Sequence, residues 1–194
     1  MNSNNNPHYP TLEQMESEIA RRKYIKKYSK ALRGTIYSLL VVAAIAILIA
    51  TLVMPVLQIT GASMSPTLID GQFVLAVKND EFESGDITAF YYNNRILIKR
   101  VIAQPGEWVD IDLEGNVYIN GVLLDEPYLK EKALGECNIE LPYQVPDGKV
   151  FVMGDDRAVS LDSRTVAVGP VSKEQVLGKV IFRVWPLSQF GFVR

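Results

Sequence analysis

Beyond one membrane-length apolar run, a serine and a lysine stand in positions that could do covalent chemistry together. Ser63 stands in Gly61-Ala62-Ser63-Met64-Ser65-Pro66-Thr67-Leu68, a few residues after that run, and Lys99 lies further on in an apolar strand pattern. The only histidine is His8, in the N-terminal tail, so a Ser-His-Asp triad and any His-containing metal site are excluded from the main domain. No Gly-x-Ser-x-Gly elbow, His-Glu-x-x-His pair or phosphate-binding Gly-x-x-x-x-Gly-Lys occurs. What remains is serine with lysine, or carboxylates, and the position of Ser63 points to a hydrolase working at a membrane surface.

A lysine acts as a general base only when neutral, so its surroundings must lower a reference pKa of about 10.4 by removing water from the ammonium. In Arg95-Ile96-Leu97-Ile98-Lys99-Arg100-Val101-Ile102-Ala103, strand alternation puts Lys99 on one face with Leu97, Val101 and Ala103. Arg100 falls on the other face with Ile98 and Ile102, so periodicity alone does not choose between the two cations. A snorkelling edge-strand lysine fits the same pattern. Ser63 is equally open: Ser-x-Ser-Pro-Thr after an apolar helix also suits a plain loop held by Pro66.

Several elements must position these groups. The chain has 194 residues, 48% of them apolar, enough for a core and a membrane helix. From Gly34 to Ile69 there is no charged side chain, and Thr35–Leu57 is nearly all Ile, Leu, Val and Ala. About 20 helical residues cross the hydrocarbon layer, so this run reads as a retained anchor, ahead of a buried soluble helix. A signal peptide cut after Thr60-Gly61-Ala62 fits less well, because the apolar run and its leader are both too long. Residues 1–33 carry seven Lys/Arg against three Glu, which leaves the rest of the chain at −6 within a net charge of −2. The positive-inside rule then places 1–33 as a cytoplasmic basic tail, 34–57 as the anchor and 58–194 as an extracytoplasmic β-rich catalytic domain. That charge split argues against nucleic acid as a partner. Residues 1–10 have a disordered composition, and 11–33 a helical, basic one that continues the anchor into the headgroup layer. Cys137 is the sole cysteine, which rules out an intramolecular disulfide and leaves a spectator thiol.

After Pro55, nine short apolar runs alternate with turn residues: 73–77, 87–92, 96–103, 108–113, 117–119, 122–124, 149–153, 166–168 and 179–184. They predict a mostly β, antiparallel domain. Asn120-Gly121 is a two-residue hairpin signal, since a type I′ turn needs positive φ at both central positions. Glu114-Gly115 predicts another turn. Residues 126–146, with Pro127, Gly135, Pro142 and Pro146, predict an irregular excursion.

At these residues the chain resembles the type I signal peptidases, membrane-anchored Ser-Lys endopeptidases. Ser63-Met64-Ser65-Pro66-Thr67-Leu68 is similar to their nucleophile box and Gly85-Asp86-Ile87-Thr88-Ala89-Phe90 to their Gly-Asp-Ile strand. The stretch from Lys99-Arg100-Val101 to Gln104-Pro105-Gly106-Glu107 resembles the box carrying the general base. Val145-Pro146-Asp147-Gly148, Gly154-Asp155-Asp156-Arg157 and Ser160-Leu161-Asp162-Ser163-Arg164 resemble the last box. Arg183-Val184-Trp185-Pro186-Leu187 is similar to the C-terminal strand of the compact single-anchor bacterial members. The match runs in order from the anchor to the C-terminus.

The resemblance implies that Ser63 is the nucleophile, Lys99 the general base, and the Ser63 backbone N–H an oxyanion donor. Ser160 would hydrogen-bond Lys99, while Asp155, Asp162 and Arg164 would be ion-paired supports. A carboxylate beside the base raises its pKa, which opposes a role for these acids as proton carriers. The implied fold is largely antiparallel β with the site at its membrane-facing end. The implied partners are signal peptides of exported preproteins, bound by strand pairing with small side chains filling shallow apolar pockets, at the plasma membrane. No metal or nucleotide cofactor is implied. The chain departs from the family pattern at Asp156, where Asn is usual, and at Ala158-Val159, where Asp-Asn is common. Gly61 stands where some members place a serine as second oxyanion donor, which leaves that donor unassigned. Two rivals share the residues: a membrane-anchored scaffold of the same fold without turnover, and a Ser-Lys peptidase with a dedicated client.

Overall fold

The computed structural model describes residues 11–78 and 81–193, with backbone only for 49–53. The expectation for residues 1–10, and His8 with it, lies outside them. The chain divides into two units, residues 1–49 and 50–194.

The first unit is helical. Helix α1 spans Leu12–Val53, running without a break through the basic segment and the apolar run as far as Val53, while Val56 and Leu57, expected within the anchor, belong to the sheet. It starts at a reciprocal capping box: Gln14 N–H donates to Thr11 Oγ1 at 3.4 Å and Thr11 N–H to Gln14 Oε1 at 3.0 Å, satisfying donors that lack a helical partner. Tyr24 and Tyr28 stack one turn apart. The described part of α1 is long and apolar enough to cross a membrane.

The second unit is antiparallel β throughout. Strand β1 spans Val56–Gln58, β2 Phe73–Val77, β3 Ile87–Tyr92, β4 Arg95–Ala103, β5 Trp108–Ile111 and β6 Val117–Ile119. Then come β7 at Val122–Leu123, β8 at Tyr143–Gln144, β9 at Lys149–Met153, β10 at Val171–Ser172, β11 at Val176–Trp185 and β12 at Gly191–Phe192. The larger sheet runs β1-β2-β11-β3-β4-β9-β10, with β12 added on β11, and the smaller runs β7-β6-β5-β8. Tight turns fix the local registers. Asn120 and Gly121 sit at φ 53° and 81°, as a type I′ turn demands, and pair Ile119 with Val122. Asn93 and Asn94, at φ 44° and 62°, do the same between β3 and β4, the pair of strands that carries Lys99.

Three apolar clusters fill the unit. One joins Ile59, Met64 and Leu68 to Val74, Ala76, Ile87, Ala89 and Val180, so the chain after β1 is packed down onto β2, β3 and β11. A second fills the space between β4, β5, β6 and β9, and a third lies under β3, β4, β9 and β10. Phe182 is held edge-on by Phe190 and Phe192, which folds the C-terminus back on β11.

Three further details differ from the sequence expectations. Residues 166–168 form a turn and no strand: Val168 and Gly169 N–H both donate to the Thr165 carbonyl, and Val166 N–H to Asn138 Oδ1. Three apolar residues are too few for periodicity to separate a strand from a turn that side chains complete. Ala103 does not share the face of Lys99, because a bulge between Val101 and Ala103 against β9 breaks the alternation and sends Ile102 and Ala103 into one cluster. Strands β1, β8, β10 and β12, of two or three residues each, carry no readable pattern of their own.

Candidate active site

The chain around Ser63 is a compact turn. Ser65 N–H donates to the Ala62 carbonyl and Leu68 N–H to the Met64 carbonyl, both at 2.8 Å. Met64 and Leu68, 2% and 0% exposed, anchor it in the first core cluster. Gly61 enters the turn at φ +84°, a conformation that favours glycine, and its N–H is taken by Asp70 Oδ1 at 2.8 Å. The Ser63 N–H has no acceptor among the described residues and is free to donate. The Ser63 carbonyl faces the other way and accepts from Asp156 N–H at 3.1 Å.

Strand β4 brings the candidate base, Lys99. Thr88 of β3 stands opposite Lys99, and Lys99 is 3% exposed. Its Nζ donates to Ser63 Oγ at 2.7 Å, across 36 residues of sequence. Loss of hydration disfavours the ammonium and pushes it down to about 8 from its ordinary 10.5. The negative charges of Asp162 and Asp155 oppose that shift, and Arg164 adds to it. The neighbouring cation behaves differently: Arg100 clamps Asp155 with Nε at 2.9 Å and Nη2 at 2.7 Å, donates Nη1 to the Gly85 carbonyl at 2.7 Å and lies over the Tyr128 ring at 3.9 Å. The tertiary structure thus gives different partners to two cations that strand periodicity left alike: Ser63 to Lys99 and Asp155 to Arg100.

Behind the turn lies a buried polar layer. Thr67 donates its hydroxyl to Asp155, and its carbonyl accepts from Arg183 Nη2 at 2.6 Å. Asp162 and Arg164 make a two-pronged pair at 2.8 Å on both prongs, and Arg164 Nη1 reaches the carbonyls of Leu134 and Arg157. Burial raises the Asp162 carboxyl, but the hydrogen bonds and charge of Arg164, with the Gly154 N–H, hold it below its usual value. Arg157 pairs with Glu126, both side chains fully buried, and donates Nε to the Gly154 carbonyl at 3.0 Å.

Ser160 lies close by, yet the hydrogen bond to Lys99 that the resemblance implied is not made. The Ser160 hydroxyl is buried and has no hydrogen-bond partner. It helps to lower Asp162, at a geometry short of a hydrogen bond, and it packs against Gly154. A Cβ on Gly154 would stand 2.2 Å from Ser160 Oγ and 2.4 Å from the Ser63 carbonyl oxygen. Glycine is required there because the nucleophile turn and Ser160 both rest on its Cα.

Residues 58–61 and 96–99 form the walls of a groove that reaches Ser63 and Lys99. Ile59, Ile96 and Ile98 give it apolar patches among the polar groups of Gln58, Thr60, Ser63 and Lys99, and it is small. Glu126, Tyr128 and Arg183 were missed as supports by sequence reasoning. Only the presence of Arg157 in a buried box, which demands a counter-ion, gave any signal for Glu126.

Comparison with known proteins follows the same residues. The family model described as signal peptidase, peptidase S26, matches residues 32–185. The chain is 35% identical to signal peptidase IB of Staphylococcus aureus strain MRSA252 over 183 residues, 84% of this chain and 94% of that protein. It is 34% identical to signal peptidase I S of Bacillus subtilis strain 168 over 188 residues, 90% of this chain and 97% of the relative. A crystal structure of a signal peptidase I from Enterococcus faecalis V583, 33% identical, covers 51% of this chain and 96% of its own, with a TM-score of 0.44. On this family match and these identities, the chain belongs to the signal peptidases of the peptidase S26 family.

Proposed function

We propose that this signal peptidase removes N-terminal signal peptides from exported preproteins with Ser63 as nucleophile and Lys99 as general base. The observation that carries the reading is the 2.7 Å contact between Lys99 Nζ and Ser63 Oγ, at a lysine whose burial holds it near pKa 8. In the reactive form Lys99 is neutral, and the Ser63 hydroxyl donates to it over that same distance. As Oγ bonds to the scissile carbonyl carbon, its proton passes to Nζ, and the oxygen that gains charge is met by the Ser63 N–H. Collapse breaks the C–N bond, and Lys99 returns the proton to the leaving amine. A water then attacks the acyl-enzyme, giving its proton to Lys99 and releasing Ser63 as the hydroxyl.

The surrounding residues hold this geometry. Asp155, itself clamped by Arg100, accepts directly from the Thr67 hydroxyl, Asp162 and Arg164 neutralise one another within the buried layer, and Ser160 fills the space against Gly154. Ion-paired carboxylates do not shuttle protons at neutral pH, so their role is support. The groove receives the extended segment ahead of the cut. Helix α1 is the anchor of a single-pass protein of the plasma membrane, with the basic segment cytoplasmic and the catalytic unit outside, as the excess of Lys and Arg before the apolar run supports.

The test is cleavage of a purified preprotein by the full chain in detergent micelles. Ser63→Ala and Lys99→Ala each abolish processing. Equal processing by either variant sinks the assignment.

A further inference from the structure

A break in the alternation of β11 decides where an arginine points. Val180 pairs with Ala76 of β2, Phe182 with Leu75 and Arg183 with Val74, so a bulge at Ile181 shifts the strand by one residue. Residues paired across antiparallel strands share a face. Val74 and Ala76 are buried in the first core cluster with Met64 and Leu68, whereas Phe182, paired with Leu75, packs against Phe190 and Phe192. Unbroken alternation from Val180 would have turned Phe182 onto the core face and Arg183 away from it. The bulge exchanges them.

That exchange sets a cation on an apolar face. Arg183 is half-buried and has no carboxylate partner among the described residues, and its Nε is buried without a hydrogen bond. Nη1 lies 3.5 Å from Gln189 Oε1, an acceptor already taken by Gln72 Nε2 at 2.6 Å. The one short bond runs from Nη2 to the Thr67 carbonyl, at 2.6 Å. That carbonyl shares a rigid peptide plane with the Leu68 N–H, which donates to the Met64 carbonyl at 2.8 Å. A guanidinium on one end of this peptide polarises and strengthens the bond made by the other end. Met64 follows Ser63 directly. Thr67 is therefore held by its backbone from Arg183 and by its hydroxyl from Asp155. A partly buried cation without a counter-ion is costly, and an apolar side chain would fill the place at less cost. What the arginine adds is a hold on the nucleophile turn.

We propose that Arg183 is a positioning residue: the bulge in β11 aims it at the Thr67 carbonyl, and through the Thr67–Leu68 peptide and Met64 it sets where Ser63 Oγ stands against Lys99. The proposal rests on Ser63 being the nucleophile, as assigned above, and adds a determinant of its rate from strand β11. Arg183 itself touches no reacting atom. A displacement of about 1 Å at such an atom costs on the order of 100-fold in rate. Met64 and Leu68 still anchor the turn when Arg183 is lost, so the expected loss is smaller, about tenfold or more. Because the arginine makes one short bond to a carbonyl and no two-pronged pair, an ammonium can take its place.

The experiment compares the full chain in neutral detergent micelles with Arg183→Met, Arg183→Lys and Phe182→Ala. Preprotein cleavage is resolved into kcat and KM, and the unfolding midpoint is measured on the same preparations. Arg183→Met keeps the bulk of the side chain without a donor, and is expected to lose at least about tenfold in kcat with KM within about twofold of the parent. Arg183→Lys restores kcat to within about threefold of the parent. Phe182→Ala, next to it on the other face of the strand, lowers the unfolding midpoint at least as far as Arg183→Met yet keeps kcat within about threefold. A merely structural arginine predicts the reverse, a rate that follows stability. A smaller loss in Arg183→Met, no recovery in Arg183→Lys, an equal loss in Phe182→Ala, or an Arg183→Met chain that does not fold overturns the positioning role. A parent that cuts no preprotein, or a Ser63→Ala variant that still cuts, overturns the assigned function instead, which separates the two conclusions.

Discussion

Gly154→Ala probes whether the nucleophile is held by packing from behind. The added Cβ would lie 2.4 Å from the Ser63 carbonyl oxygen, 2.2 Å from Ser160 Oγ and 2.6 Å from Ser160 Cβ, where ordinary contact begins at 3.4 Å. The hydroxyl of Ser160 can rotate away. The Ser63 carbonyl is backbone, tied by Asp156 N–H, and must retreat by about 1 Å, taking Oγ and the free N–H with it. A misplacement of that size at a reacting atom costs on the order of 100-fold in rate, and overpacking costs about 1–3 kcal/mol of stability. The assay is preprotein cleavage at saturating and limiting substrate, with the unfolding midpoint measured on the same preparations. The variant is expected to fold, to lose about 100-fold in kcat/KM, and to lose it mainly in kcat, since the groove is untouched. Ser160→Gly supplies the control: it removes two of the three clashing atoms and leaves the Ser63 carbonyl. Adding Gly154→Ala in the Ser160→Gly background therefore still costs most of the rate. If Gly154→Ala stays within threefold of the parent, or is silent in the Ser160→Gly background, the carbonyl contact does not set the position of the nucleophile and the reasoning fails.

Four further outcomes follow from the buried charges. Activity should rise with pH through a limb near 8, because neutral Lys99 is the reactive form and its pKa is about 8; a profile that falls between pH 6 and 9 contradicts a lysine base. Asp162→Asn, by removing the largest influence that raises Lys99, moves the limb of the remaining activity to lower pH, and an alkaline move refutes the coupling. The same shift is a stability statement: with the folded pKa below the unfolded 10.5, the folded state binds fewer protons between pH 8 and 10.5. Burial of Lys99 thus costs about 3 kcal/mol below pH 8, and that cost fades as pH rises to 10.5. Denaturant unfolding shows the effect as a gain in the parent, relative to Lys99→Met, between pH 7 and 10; parallel curves exclude it. Glu126→Gln leaves Arg157 buried without its partner and lowers stability by about 3–5 kcal/mol, whereas an exposed pair would change it by less than 1.

The amino-acid order alone determined the helix and the β class, and it named Ser63 and Lys99 as the candidate reactive residues. The reasons are local: an uncharged run of membrane length needs no partner to be recognised, and strands bounded by Asn-Gly and Glu-Gly turns announce themselves. Excluding histidine and matching ordered motifs then singled out Ser63 and Lys99. Period-two alternation could not say which of Lys99 and Arg100 faces the serine, because both stand among apolar neighbours and both end up buried, at 3% and 2% exposure. That choice was made by partners far along the chain: Ser63, 36 residues before Lys99, and Asp155, 55 residues after Arg100. The bulge at Val101–Ala103, the buried Glu126 and the seat of Ser63 on Gly154 were likewise invisible, since each depends on which segments the fold brings together. Sequence supplied a lysine and a serine; packing alone removed water from the first and set it 2.7 Å from the second, the two conditions that the proposed base requires.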